Sequence, residues 1–202
     1  AVLTAVLDAG PLGNRFFGNS IYANGDLGID LGRFVDPANS VLANDTGDVD
    51  TGPNALLNYP VLTTAEPSGG STLISGTYNG LPNQTFTIEF FSSNTADGSG
   101  FGEGETYIGT TSVTTDSTGN GSFTFNAPLL PPGLAVSATA SLAAAGTSEF
   151  SQFVISTGVS ETIVTTALDV VDSGDGLVSL REAIIFANGN SGLDTITFAI
   201  PG

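Results

Sequence analysis

Thr85-Phe86-Thr87-Ile88-Glu89-Phe90 has the clearest strand-like alternation of apolar and polar residues in the sequence. Side chains of a β-strand point alternately to opposite faces, so Phe86, Ile88 and Phe90 share one face and the polar residues share the other. A strand of this kind packs its apolar face against a core and leaves its polar face outside. The stretch therefore predicts a half-buried strand of an all-β domain.

The same alternation recurs on both sides of this strand, with turn residues between the runs. The runs cover residues 61–64, 73–78, 107–115, 122–125, 136–142 and 150–155. Residues 116–121 predict a hairpin connection, because Asp, Ser, Asn and Gly favour tight turns. About seven strands at this spacing predict an immunoglobulin-like β-sandwich over residues 61–156.

The residues before the sandwich follow a different pattern. Asn recurs at every fifth position from Asn14 to Asn24, and apolar residues alternate with Gly or Asp from Leu27 to Gly32. Short strands with Asn and Gly at the corners are typical of β-solenoid coils. We therefore predict terminal β-helix coils over residues 1–34, followed by an acidic connecting loop over residues 35–60.

Residues 157–202 predict a linker, one short helix and a strand. Ser179 and Glu182 have the spacing of a capping box, in which each residue bonds the backbone N–H of the other. The apolar stripe of the helix consists of Leu180, Ala183, Ile184 and Ala187. The strand over residues 194–200 is expected to turn Ile196, Phe198 and Ile200 inward. We interpret this region as a capping helix over the first coil of a β-helix.

Two segments are similar to parts of large bacterial secreted proteins with right-handed parallel β-helix repeats. The stretch Asn19-Ser20-Ile21-Tyr22-Ala23-Asn24-Gly25-Asp26-Leu27-Gly28-Ile29-Asp30-Leu31-Gly32, with residues 44–62, resembles the end of such a β-helix, which leads into a β-sandwich. The stretch Asp175-Gly176-Leu177-Val178-Ser179-Leu180-Arg181-Glu182-Ala183-Ile184 resembles the CSLREAI-type motif that begins one, with Val178 in place of Cys. The resemblance implies a surface, adhesive or structural role, although the fold also hosts polysaccharide lyases and hydrolases.

The order of these two ends implies a phase-shifted repeat, because the end of one β-helix precedes the beginning of another. The chain is then either an excerpt of a tandem array or a subunit whose C-terminal coil is completed by the N-terminal coil of the next copy. The second case gives a head-to-tail homopolymer, since open solenoid ends expose backbone groups that another coil can bond.

The composition excludes several classes of function. The 202 residues contain 20 Asp and Glu, three Arg, and no Lys, His or Cys, for a net charge of −17. Nucleophile systems that depend on His, zinc sites that use His or Cys, and Schiff bases that use Lys cannot be built. We therefore expect no enzyme activity, no binding of nucleic acid and no insertion into a membrane. The acidic balance favours an extracellular or cell-surface location.

Two acidic stretches are candidate Ca²⁺ sites. Asp45, Asp48 and Asp50 place carboxylates on a Gly-containing loop, as a hard cation with many oxygen ligands prefers. A second and weaker pattern consists of Asp169, Asp172 and Asp175. In both stretches the alternative is ordinary turn chemistry, in which Asp and Asn side chains cap turns or the start of a helix.

Three further features can each be interpreted either as functional or as purely structural. Glu103 and Glu105 have the residue types of a glycosidase acid and base, but they lie in a Gly-rich hairpin, and the Gly-rich run at residues 98–104 predicts a mobile, solvated loop. Arg181 is expected to pair with a nearby carboxylate rather than to act as a lyase base. Ser and Thr at polar strand positions predict a flat outer surface for lateral packing or glycans, and Asn44, Asn83 and Asn120 begin glycosylation acceptor patterns.

These observations leave two hypotheses. The first is a structural module of an extracellular bacterial adhesin or filament that binds Ca²⁺ and associates with itself end to end. The second is a carbohydrate-active β-helix enzyme, or its sugar-binding accessory module.

Overall fold

A computed structural model of the chain describes residues 3–4, 13–25, 27–32, 41–68, 71–157, 162–172, 175–189 and 195–201, and it confirms the all-β class. One helical turn, Pro53–Leu56, lies before the sandwich, and helix α1 spans Leu180–Gly189. The strands are β1 (Leu3–Thr4), β2 (Ile29–Asp30), β3 (Val61–Ser68), β4 (Ser71–Asn79), β5 (Thr85–Ser93), β6 (Thr106–Thr114), β7 (Asn120–Pro128), β8 (Ala135–Leu142), β9 (Gly146–Thr147), β10 (Val154–Ile155), β11 (Ile163–Val164) and β12 (Thr197–Phe198).

Two antiparallel sheets form the predicted sandwich. One has the strand order β3-β4-β7, and the other has the order β10-β8-β5-β6 with β9 added to β8. Each run expected from the sequence forms one of these strands. The expected hairpin at residues 116–121 is wrong, because β6 pairs with β5 and β7 pairs with β4, so the turn connects the two sheets. Asp116 accepts the backbone N–H groups of Thr118 and Asn120, which is local turn chemistry that suits either connection.

The apolar faces of the two sheets meet in one core. Phe86, Ile88 and Phe90 are fully buried there, as the alternation predicted. The ring of Phe90 stacks on Phe125 at a centroid distance of 4.9 Å, and Tyr78 lies 4.6 Å from Phe86. Burial of each such side chain stabilises the fold by about 1.5–3 kcal/mol. These contacts therefore fix the register of β5 within its own sheet and its packing against the other sheet.

Strand β8 is buried on both faces. Val136, Ala138 and Ala140 face the core, whereas Ser137, Thr139 and Ser141 lie on the outer face and are equally inaccessible. The expected exposed Ser and Thr surface is therefore wrong for β8. Ser137 donates to the carbonyl oxygen of Glu103, and the hydroxyl of Ser141 bonds that of Thr147, so the loop before β6 and strand β9 cover part of this face.

The N-terminal segment, residues 13–32, packs on β9 and on the outer face of β5. Ile29 and Leu31 form a second apolar cluster with Leu56, Phe91 and Phe150. The buried side chain of Asn54 ties the segment to β9: its Nδ2 donates to the carbonyl oxygens of Asn14 and Thr147, both at 2.8 Å, and its Oδ1 accepts the Asn14 N–H. The segment is thus part of the folded domain.

Three glutamates hold the backbone of the N-terminal segment. Their carboxylates accept N–H groups at 2.9–3.2 Å: Glu149 from Leu31 and Leu42, Glu89 from Gly18, and Glu103 from Ala23 and Asn24. Burial raises the pKa of Glu149 to about 7, although its two N–H donors act in the opposite direction. Burial also raises the pKa of Glu89, against the Gly18 N–H and the charge of Arg15.

Each end of the described chain contains one parallel strand pair. At the N-terminal end Leu3 pairs with Ile29 and Thr4 with Asp30, and at the C-terminal end Ile163 pairs with Thr197 and Val164 with Phe198. A parallel pair joined by a long connection is what a single β-helix coil would make. Residues 1–2, 5–12 and 33–40 lie outside the described set, so the extent of the coils predicted over residues 1–34 stays a prediction.

The C-terminal body consists of residues 162–172, 175–189 and 195–201. Its capping box is confirmed: the Ser179 hydroxyl accepts the Glu182 N–H at 3.2 Å, and the Glu182 carboxylate accepts the Ser179 N–H at 2.8 Å. Helix α1 covers β11 by burying Ala183 against Val164 and Val178. The helix has ten residues, and no helix within the described ranges has the length and apolar character of a membrane span.

The expected orientation of the last strand is wrong for two of its three apolar residues. Ile196 is partly buried against the C-terminal core, but Phe198 is 63% exposed and Ile200 is 42% exposed. Leu180 and Ile184 of the predicted helix stripe are also exposed. All four of these exposed side chains line one groove of the C-terminal body rather than a core.

The Glu149 contact predicts a pH dependence of stability. The pKa of Glu149 in the folded state lies above the ordinary value of 4.5. The stabilisation that protonated Glu149 gives the folded state is therefore fully present below pH 4.5 and is lost as the pH rises through about 7. Glu149→Gln removes this titration. We expect the difference in free energy of unfolding, wild type minus Glu149→Gln, to fall by on the order of 2 kcal/mol between about pH 5 and pH 8, measured by urea denaturation.

Glu66→Gln is the matched control for this experiment, because Glu66 lies exposed on β3. Its difference from wild type should stay constant over the same pH range. A constant difference for Glu149→Gln as well would show that Glu149 titrates as an ordinary surface carboxyl.

Candidate metal site and open apolar face

Three carboxylates converge in the loop before β3. Asp45, Asp48 and Asp50 each offer one oxygen, and these oxygens all lie within 4.8 Å of one another. Asp48 is only 4% exposed. Its Oδ1 accepts the Asn58 N–H at 3.1 Å, whereas its Oδ2 and the Oδ1 of Asp45 are buried without a hydrogen-bond partner in the described part of the chain.

The backbone turns sharply at this point. Gly47 and Asp48 both have φ angles in the left-handed region, 79° and 54°. Glycine adopts this region without steric cost, and Asp is one of the few side chains that tolerates it. Two successive residues in this region reverse the chain, so Asp48 points into the domain while Val49 stays exposed.

Asparagine side chains hold the loop against the sandwich. The Asn58 Nδ2 donates to the carbonyl oxygens of Asp45 and Asn79 at 2.8 and 2.9 Å, and its Oδ1 accepts the Asp45 N–H. Asn44 exchanges two hydrogen bonds with the backbone of Tyr59, and the Asn79 Oδ1 accepts the Gly47 N–H at 2.7 Å. The loop is therefore a fixed structure at the end of β4.

The carboxylate cluster is electrostatically unfavourable in the absence of a counter-charge. Burial raises the pKa of Asp48 to about 7, and the neighbouring charges of Asp50 and Asp45 add to this, while the Asn58 N–H opposes it. Burial and the Asp48 charge likewise raise the pKa of Tyr78, whose hydroxyl is buried without a partner among the described residues.

The first acidic stretch thus forms the cluster that the sequence predicted, while its metal stays a prediction. The structure places the second stretch differently. Asp169 binds the guanidinium of Arg181 through both oxygens, at 2.7 and 2.6 Å, and this pairing lowers the pKa of Asp169. Asp175 accepts the Leu177 N–H, and the Asp172 N–H donates to Glu182. These contacts are turn and helix-start chemistry, and the expected ion pair of Arg181 is confirmed.

Glu103 and Glu105 serve as structural acceptors. Glu103 accepts N–H groups of the N-terminal segment, and Glu105 accepts the backbone and side-chain N–H groups of Asn94. The Gly-rich run before them is also packed: Gly104 exchanges two backbone hydrogen bonds of 2.7 Å with Ile21. A Cβ atom on Gly104 would lie 2.9 Å from a ring carbon of Phe91, which explains the glycine. The expected mobile loop is therefore wrong for this part of the run.

The three glycosylation acceptor patterns occupy different environments. Asn83 and Asn120 are exposed, whereas the amide of Asn44 is used within the acidic loop. Glycans as partners stay a prediction.

The C-terminal body presents an open apolar face. It borders a groove of about 670 Å³ beside β12. The apolar side chains of this face are Leu168, Leu180, Ile184, Ile185, Phe198 and Ile200, all exposed. The ion pair of Arg181 and Asp169 lies at the border of the same groove. Six large apolar side chains exposed around one groove differ from the single scattered exposures that are ordinary on a protein surface.

Comparison with protein-family models and with curated proteins finds no match for this chain. Membership of the β-helix repeat family therefore stays a prediction, based on the motifs quoted above.

The asparagine scaffold predicts where the acidic loop is vulnerable. Asn58→Ala removes three hydrogen bonds at a buried position and leaves their partners unsatisfied, so we expect a loss of about 2–4 kcal/mol in the free energy of unfolding. Asn126→Ala, at an exposed position of β7, should change stability by no more than about 0.5 kcal/mol. Equal stability of the two variants in urea denaturation would contradict the structural role of Asn58.

Proposed function

We propose that this chain is a structural module of an extracellular bacterial surface or filament protein, and that it associates with further copies end to end through β-helix coils. The observation that carries the proposal is the open apolar face of the C-terminal body, next to the parallel pair of β11 and β12. The composition supports a structural role, since the residues of many catalytic systems are absent from the sequence.

Parallel strands are normally buried on both faces, because their crossover connections cover them. In the described part of the C-terminal body, β11 and β12 form a sheet of two strands only, with Phe198 and Ile200 exposed. An uncovered edge of this kind offers unpaired backbone N–H and C=O groups to another strand. A further parallel coil would bond the unpaired backbone groups of this edge, and it would also cover the apolar face.

The partner that fits this face is the N-terminal end of a second copy. That end contains the parallel pair of β1 and β2, and in the described chain each strand of this two-stranded sheet is an edge strand. Placing β1 of the next copy along β12 continues a parallel sheet in a single direction. The contact is heterologous, so it propagates from copy to copy rather than closing a dimer. A neighbouring repeat of one long chain and a separate subunit would form the same contact.

The two ends differ in how they are covered, which gives the stacking a direction. At the N-terminal end the segment already packs on the sandwich through Ile29, Leu31 and the three glutamates. Deleting residues 1–34 would therefore uncover Phe91, Phe150 and two buried carboxylates, and it would test folding rather than stacking. Point substitutions on the exposed C-terminal face avoid this problem.

An enzyme function is not proposed, because both glutamates expected as acid and base are occupied in holding backbone and amide N–H groups. No other observation on the described residues favours a sugar-cleaving site.

Ile200→Glu should abolish end-to-end association, because it places a charge on the face that becomes buried. Ile155→Glu is the matched control: the same residue type is 47% exposed on β10 of the sandwich, compared with 42% for Ile200. Sedimentation velocity and electron microscopy should show assemblies of wild type and Ile155→Glu, and only monomers of Ile200→Glu. Added salt should strengthen assembly, since each copy carries a net charge of −17.

A monomeric wild type at high protein concentration and high salt would contradict the proposal, as would unchanged assembly of Ile200→Glu. Circular dichroism of each variant checks that the substitution has not unfolded the chain.

A further inference from the structure

We propose that the loop over residues 45–50 binds one Ca²⁺ ion between the carboxylates of Asp45, Asp48 and Asp50, and that the ion locks the connection between the N-terminal segment and the sandwich. This inference is independent of end-to-end association, because the site lies within a single chain.

The spacing of the oxygens fits one ion of this size. Ca²⁺ holds oxygen ligands at about 2.3–2.6 Å, so ligands on opposite sides of the ion lie about 5 Å apart. The three carboxylate oxygens all lie within 4.8 Å of one another, so a point between them lies at most about 2.8 Å from each. Side-chain adjustments of a few tenths of an ångström would bring all three into contact with a single Ca²⁺. A Mg²⁺ ion holds its ligands at about 2.0–2.1 Å in a strict octahedron, which suits three carboxylates on one irregular loop less well.

The second observation is an acceptor that the described protein leaves unused. Asp48 is only 4% exposed. Its Oδ2 lies in the cluster and has no hydrogen-bond partner among the described residues. The Asp45 Oδ1 is in the same position. A buried carboxylate oxygen without a bonding partner costs free energy, and a divalent cation on Asp48 Oδ2 and Asp45 Oδ1 would offset that cost.

The loop is organised for binding before any ion arrives. Asn58 and Asn79 bond its backbone at both sides of the cluster, so few residues would need to become ordered. An opening of about 440 Å³, bordered by Asp45, Tyr78 and Asn79, gives a hydrated ion access from solvent and leaves room for water ligands. Ca²⁺ accepts such mixed coordination of carboxylates and water.

The position of the loop explains what the ion would do. Upstream of the cluster, the Leu42 N–H is held by Glu149 beneath the N-terminal segment. Downstream, Asn58 and Tyr59 lead directly into β3. An ion on the three aspartates therefore fixes the connection between the two, and its removal should loosen the loop over residues 45–50.

The test is a titration of the full chain, freed of metal by a chelator, with Ca²⁺ and separately with Mg²⁺. Calorimetry should show one Ca²⁺ site, and saturation should raise the melting temperature by about 5 °C or more when Ca²⁺ exceeds Kd about 100-fold. Measuring wild type and Ile200→Glu in parallel keeps association out of the result.

Asp48→Asn should weaken Ca²⁺ binding about tenfold or more, because it removes the most buried charge of the ligand set. The same variant should be at least as stable as wild type in chelator, since it also removes the buried repulsion, so a lost response cannot be attributed to misfolding. Asp97→Asn, on an exposed loop, is the matched control and should respond as wild type does.

Three results would overturn the proposal: no binding heat and no change in melting temperature at about 10 mM Ca²⁺, an undiminished response in Asp48→Asn, or equal stabilisation by Mg²⁺, which would remove the assignment to Ca²⁺.

Discussion

A shortage of positive charge constrains how this chain can fold. It has 20 carboxylates and three arginines, so an acidic side chain that enters the interior seldom finds a cationic partner. Glu149, Glu89 and Glu103 instead accept backbone N–H groups, which are the donors that any segment can supply. Because these donors all belong to the stretch from Gly18 to Leu42, the same contacts hold the chain that precedes β3 against the sandwich.

The same constraint has a different outcome in the acidic loop. There the backbone supplies Asp48 with one N–H, from Asn58, and asparagine amides satisfy the rest of the loop without reaching the unused carboxylate oxygens. Where backbone donors suffice, the carboxylate joins two parts of the chain. Where they do not, we propose that a cation from outside supplies the missing partner. The apolar face of the C-terminal body likewise lacks a partner, because its exposed strand and helix residues have no covering layer within the described chain.

What the sequence could predict depended on how local each signal was. The alternation from Phe86 to Phe90 and the Ser179–Glu182 capping box act over a few residues, and both appear in the structure as expected. The spacing of Asp45, Asp48 and Asp50 also placed the carboxylates correctly, but their neighbours Asn58 and Tyr78 come from later in the chain and carry no local signal. The surface on which the N-terminal segment docks was missed for the same reason. The alternation of Ile29 and Leu31 marked the apolar side of the segment, but it did not say what that side packs against. On the sandwich, the trace is the acidic residue Glu89 in mid-strand, followed by Phe91.

The most direct test of this charge constraint is hydrogen exchange, measured by NMR, at the five backbone N–H groups that the three glutamates accept. These belong to Gly18, Ala23, Asn24, Leu31 and Leu42. If buried carboxylates hold the N-terminal segment, these N–H groups should exchange as slowly as those of β5 and β8, since the segment would open only when the sandwich unfolds. Exchange at the rate of an unfolded chain, while β5 and β8 remain protected, would contradict it.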